Sequence, residues 1–275
     1  MSPRFPLNER TPVLAHIHVP KSSGSSLRKA LDTTFSQAAH LWLYFDHDTD
    51  FVYHDDQIAD LVTEPSVRAF SSHFVRRFPP ELAQRRMHYV TFLREPVQQF
   101  ISYITYTKKH YAAIKHPVLL SQLPPDMPNL SIQECARWIL AGDQTGFRNF
   151  RENYATNFFA RYTVLESSGF SYSDARYRAI RLDAAREVLN KFLFTGISER
   201  MDESWRLLRS KAAAAGIWLP DMGITHENVS AEMRDGLSWV SMDDSVGRAL
   251  LTSVAEDQQL YRWAVDRFDE QIRDL

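Results

Sequence analysis

The sequence predicts an α/β fold in three layers, a central parallel sheet flanked by helices. Two observations carry that prediction. Short strand-like runs are followed at once by helices with their own start signals at three places along the chain, the pattern of a parallel sheet with helices on its faces. The 275 residues are 44% hydrophobic and 12% aromatic, enough for a large core, and no interdomain linker, internal repeat or low-complexity tract divides them. The whole span 1–275 therefore reads as one domain.

The first unit opens at Val13 to Val19, where Val13, Ala15, Ile17 and Val19 alternate with Leu14, His16 and His18 at the period of a strand. A small-residue turn, Pro20-Lys21-Ser22-Ser23-Gly24-Ser25-Ser26, follows, and Leu27 to Phe35 suits a helix. The second unit is the apolar run His88 to Leu93, then Arg94-Glu95, then Pro96 at a first helical position, with Val97, Phe100, Ile101 and Ile104 at helical spacing. The third is Phe192 to Ile197, with Ser198 as N-cap and a helix from Glu199 to Ala215.

Between the units, the prolines 117, 124, 125 and 128 make His116 to Leu130 a loop suited to the rim of a cleft or to a plain connection. Ser173 to Asn190 and Asp244 to Ile272 read as long amphipathic helices whose apolar positions belong to the core. The single cysteine, Cys135, lies in a helical apolar stretch and reads as a packing residue.

Lys and Arg number 32 against 34 Asp and Glu, so the net charge of -2 gives no global attraction for nucleic acid, and any anion site must be local. No segment approaches the roughly 20 apolar residues of a membrane span, and the chain reads as soluble and cytoplasmic.

Lys21 to Ser26 has the composition of an anion cradle. Gly24 admits close backbone approach, Lys21 adds charge, four serines add hydroxyls, and the next helix presents its N-terminal amides. Its position between a strand end and a helix start is where ligands bind in parallel sheets. It is not a Gly-x-x-x-x-Gly-Lys-Ser/Thr loop, because its lysine precedes the small residues. At this point His18-Val19-Pro20-Lys21-Ser22-Ser23-Gly24-Ser25-Ser26 resembles the His-x-Pro-Lys-Thr-x-Gly-Thr-Ser motif of sulfotransferases that use 3′-phosphoadenosine-5′-phosphosulfate (PAPS), particularly the group containing heparan sulfate 2-O-sulfotransferase. Leu93-Arg94-Glu95-Pro96 through Ser102 is similar to the same family's Leu-Arg-Asp-Pro-x-x-Arg-x-x-Ser, with Glu95 and Gln99 departing from it. Weaker likenesses fall in family order at Ala69 to Phe74, where Ser72 replaces a usual glycine before His73, at Glu152 to Phe159, at Phe194 to Ser204, and at His226 to Ser230.

The resemblance implies a P-loop NTPase-like sulfotransferase fold and in-line transfer of a sulfuryl group from PAPS to an acceptor hydroxyl of a saccharide, lipid-linked sugar or small-molecule alcohol. It implies Lys21 at the bridging and leaving oxygens, Ser22, Ser23, Gly24, Ser25 and Ser26 on the 5′-phosphosulfate, and Arg94 with Ser102 on the 3′-phosphate. His73 would be the general base, a role its near-neutral intrinsic pKa suits. Asn153 and Tyr154 are carried over as acceptor contacts, and no metal is required. His16 and His18 share a strand face and could begin a metal site, but the sequence supplies no third ligand nearby. Two other readings remain open: a nucleotide-dependent kinase, and a non-catalytic nucleotide- or glycan-binding protein on the same scaffold.

Overall fold

The computed structural model describes residues 11–36, 38–43, 54–75, 77–114, 120, 123–142, 152–168, 171, 173–221, 240 and 244–275. The predicted segment His226 to Ser230 lies outside these residues, as does most of 116–122. The chain divides into two compact units, residues 1–93 with 187–227 and 267–275, and residues 94–186 with 228–266.

The first unit is α/β, a central, mostly parallel sheet with helices against it, as the sequence predicts. Its elements are β1 (Val13–Ile17), α1 (Gly24–Thr34), β2 (His40–Leu43), α2 (Asp55–Thr63), β3 (Ala69–Ser72), β4 (Glu81–Leu82), β5 (Arg85–Leu93), β6 (Phe194–Ile197) and α7 (Met201–Ala214). The parallel strands run in the order β2-β3-β1-β5-β6, while the two-residue β4 pairs antiparallel with the start of β5. Every β1 residue is buried, as a strand covered on both faces must be. From β1 the chain leaves toward β2 on one side, and from β5 it leaves toward β6 on the other. The carboxyl ends of β1 and β5 therefore flank the topological switch point, where open α/β sheets bind ligands.

The β5 strand begins on a buried cation. Arg85 is 2% exposed, and its guanidinium donates to the carbonyls of Thr11 (2.9 Å), Val62 (2.8 Å), Glu64 (3.1 Å) and Val67 (2.6 Å). Two of these acceptors belong to the C-terminal end of α2, where a positive charge also meets the negative end of the helix dipole. Replacing Arg85 by methionine removes its hydrogen bonds to all four carbonyls, of which that of Glu64 keeps the Val67 amide (3.1 Å), and we expect a loss of about 3 kcal/mol in unfolding free energy by urea titration.

The second unit is helical. It contains α3 (Pro96–His110), α4 (Ile132–Ala141), α5 (Tyr154–Ser168), α8 (Ser245–Ser253) and the greater parts of α6 (Ala175–Asn190) and α9 (Ala255–Arg273). Val97, Ile101 and Ile104 of α3 pack with Cys135 and Ile139 of α4 and Leu250 of α8, which places Cys135 in the core as expected.

Two element boundaries differ from the sequence expectation, each for a local reason. The long helix predicted from Asp244 breaks at Val254, because the Asn153 side chain enters there and its Oδ1 accepts from the amides of Glu256 (2.8 Å) and Asp257 (3.2 Å), capping α9 as a separate helix. In return Asp257 accepts from the amides of Ala155 (3.1 Å) and Thr156 (2.7 Å) at the start of α5. Ser198 opens a 3-10 turn, Ser198–Arg200, so α7 begins only at Met201. Ser204 instead secures that corner, its Oγ lying 3.0 Å from both the amide and the carbonyl of Ile197.

Candidate functional site

The residues after β1 form a strained turn. The Ser22 amide donates to the Val19 carbonyl (3.2 Å), closing a four-residue turn with Pro20 second and Lys21 third. Lys21 has φ 65°, a left-handed conformation that such a turn normally gives to glycine or asparagine. Ser23 is left-handed again at φ 56°, and α1 starts at the next residue. Two left-handed residues without the glycine that relieves the Cβ clash cost roughly 1–3 kcal/mol each, a strain that clusters at ligand-binding turns. Left-handed residues next to right-handed ones are the backbone pattern from which anion-accepting concavities are built.

Helix α1 carries no compensation of its own at its positive end. Ser23 makes no side-chain cap and the first turn carries no acidic residue. By contrast Glu95 caps α3 by accepting from Val97 (3.2 Å) and Gln98 (2.8 Å), Asp244 caps α8, and Ser131 with Glu134 boxes α4. Capping is thus the task of Glu95, where the resembled motif has aspartate. Helix N-termini of this kind present amide donors suited to an anion.

Gly24 is required by a neighbour. A Cβ at this position would lie 1.6 Å from Nε2 of His18, whose imidazole fills the space where a side chain would go. The His18 ring also stacks on His16 (centroids 5.3 Å apart) and meets His73 at 4.2 Å. His73 follows β3 directly, and its Nδ1–H donates to the His18 carbonyl. The turn that carries it is held by Ser72, whose hydroxyl donates to the Leu43 carbonyl (2.9 Å) and accepts from the Phe74 amide (2.9 Å). That work explains serine where the family motif has glycine. The structure therefore brings the Lys21–Ser26 turn, His18 and His73 together.

The imidazoles of this cluster are held neutral. Burial lowers the pKa of His73 to about 4, against the pull of its bond to the His18 carbonyl, and the charges of Arg28 and Lys21 lower it further. His16 and His18 are depressed well below the usual value, by burial first, then for His16 by His40, His73 and Arg28, and for His18 by His73, His16, Arg28 and Lys21. Lys21 and Arg28 bring positive charge close to these rings. Among the described residues no group of three or more His, Cys, Asp or Glu is arranged to hold a metal.

Sequence reasoning did not single out Arg28, which lies one turn into α1 with its guanidinium 4.0 Å from the centre of the Trp42 ring. Gly24, Arg28 and Asp32 recur at spacing four on α1, a signal that one helix face is in use. Nor did it find His40, because β2 has only four residues and no readable period.

The other predicted residues belong to the second unit. Arg94 follows β5 in sequence and is half-buried, while Ser102 is buried in α3. Asn153 is buried as the α9 cap described above, and Tyr154 is half-buried with its ring 6.0 Å from that of Phe158. Asn157, which stands where the resembled segment has arginine, accepts from the Tyr177 hydroxyl (2.9 Å) and donates to the Glu152 carbonyl (2.7 Å), an internal support of the helical unit.

No helix among the described residues is long and apolar enough to cross a membrane. No protein-family model and no curated protein sequence matches the chain significantly.

Proposed function

We propose that the chain is a PAPS-dependent sulfotransferase acting on an acceptor hydroxyl. The observation that carries this reading is the strained Pro20–Ser23 turn opening onto an α1 terminus with no side-chain cap and no acidic residue in its first turn, beside a neutral histidine with a fixed tautomer. The residues fit an anionic sulfuryl donor: small side chains, turn amides, a lysine, and Gly24 leaving the floor open for the His18 ring. PAPS supplies the activated sulfuryl group.

The chain's own residues do the rest. The turn amides and α1 hold the 5′-phosphosulfate, and Lys21 opposes the negative charge that grows on the leaving oxygens. Arg94 and Ser102 are assigned to the 3′-phosphate on the resemblance, the arginine offering a planar fork of donors. His73 carries its proton on Nδ1, so Nε2 is the basic nitrogen that takes the acceptor's proton as the oxygen attacks. Catalysis of this kind rests on positioning and charge stabilisation.

Release of 3′-phosphoadenosine-5′-phosphate from PAPS, followed with a panel of saccharide, lipid-linked and small-molecule alcohols, tests the activity. Lys21→Ala is expected to lower turnover by about 10²- to 10³-fold, the effect of deleting one group aimed at developing charge. Equal turnover in the variant removes Lys21 from the mechanism.

A further inference from the structure

His16, whose ring stacks on that of His18, also belongs to a set of polar groups that the chemistry above does not use. Asp32 of α1, His40 of β2, Ser71 of β3 and His16 of β1 are joined in a line through contacts of 2.7 Å (Asp32 Oδ1 to His40 Nδ1), 2.9 Å (His40 Nε2 to Ser71 Oγ) and 3.0 Å (Ser71 Oγ to His16 Nδ1). His16 and Ser71 are wholly buried. Ser71 therefore cannot serve as a nucleophile, although it follows an Asp-His pair in the manner of a hydrolase triad.

The direction of every bond follows from counting protons. Asp32 Oδ1 accepts from the Trp42 indole N–H (2.9 Å), a group that can only donate, so it accepts from His40 as well. His40 then carries its hydrogen on Nδ1, and with burial holding the ring neutral its Nε2 is an acceptor. Ser71 spends its one hydrogen on that nitrogen and must accept from His16 Nδ1–H. His16 is left with a bare Nε2, which is buried and has no hydrogen-bond partner.

Leaving that lone pair unmet costs stability, and apolar side chains would fill the same space more favourably. An arrangement of four polar groups from four elements, ending on the ring that stacks on His18, calls for a reason other than packing. We infer that Asp32, His40, Ser71 and His16 are positioning residues, a directional relay that fixes the His16 tautomer and so anchors the imidazole column through which His18 holds His73. The relay's carboxylate end also opposes the positive charge that arises on the column when His73 takes a proton. The catalytic part of this inference rests on the sulfotransferase reading, whereas the tautomer part does not.

Nitrogen-15 spectra of the histidine-labelled protein test the relay, together with turnover of Ser71→Ala, Ser71→Thr and Asp32→Ala. Wild type is expected to show His16 as a single tautomer protonated on Nδ1. Asp32→Ala, which touches no atom of His16, is expected to mix the His16 tautomers, and Ser71→Ala to do the same. In both, kcat falls by about 10- to 100-fold with the KM for PAPS unchanged, since the damage is to the orientation of the base. Ser71→Thr keeps the hydroxyl and restores both readouts. A His16 protonated on Nε2 in wild type, or a His16 tautomer and kcat untouched in both cutting variants, overturns the relay. Absence of turnover in wild type contradicts the sulfotransferase reading, and the spectra still decide the relay.

Discussion

Replacing His73 by glutamine is expected to lower turnover by about 10²- to 10⁴-fold while leaving the affinity for 3′-phosphoadenosine-5′-phosphate within about threefold of wild type. Glutamine retains an N–H for the His18 carbonyl but offers no nitrogen that can take a proton. The loss should therefore fall on kcat. The pH profile is the second readout. Because burial, then Arg28 and Lys21, bring the His73 pKa to about 4, the base is already deprotonated in the free protein at neutral pH. The acid limb of kcat/KM should then lie near pH 4 and vanish with the histidine. A donor's negative charge beside the ring favours its protonated form, so the limb of kcat should lie at higher pH. Turnover that survives the substitution removes His73 from the chemistry.

Acidification should destabilise the sheet unit steeply between pH 6.5 and 4. Four histidines, His16, His18, His40 and His73, are depressed below the usual value in the folded chain, mainly by burial. Between the unfolded and folded pKa values the unfolded chain binds protons that the native one does not. Their contribution is thus complete above pH 6.5 and is lost as pH falls. For His73 alone the difference corresponds to about 3 kcal/mol. In the helical unit Asp257 acts in the opposite sense: burial raises its carboxyl to about 6, so the folded form gains stability on acidification through that range. Urea midpoints at pH 7, 5.5 and 4, read from wild type and His73→Gln, check the account. The variant should show a shallower acid slope, and parallel curves contradict the assignment.

The parts of the fold legible in the sequence were those with a local signature. β1, β5 and β6 announce themselves because each apolar strand runs into a turn or helix start, and α3 because Pro96 and its apolar spacing agree. β2 and β4, of four and two residues, take their identity from pairing with β3 and β5, partners remote in sequence. The start of α1 at Gly24, three residues before the predicted Leu27, reflects the left-handed Ser23, a conformation that composition does not encode. At the candidate site the turn and His73 were singled out by their place after a strand and by the resemblance, since serine and glycine are common in plain turns. The relay was not, since His40, Ser71 and His16 meet only when β2, β3 and β1 lie side by side. Asn153 shows the converse: a polar residue beside a familiar-looking segment, whose side chain is taken up by a helix terminus about a hundred residues away in sequence.

Calorimetric titration of 3′-phosphoadenosine-5′-phosphate into wild type and Arg94→Ala, with ATP as the control ligand, tests the central claim most directly. The account predicts tight binding to wild type, a loss of about 10- to 100-fold in the variant because a charged bidentate contact is removed, and no comparable binding of ATP. Failure of wild type to bind, or a preference for ATP, would contradict it.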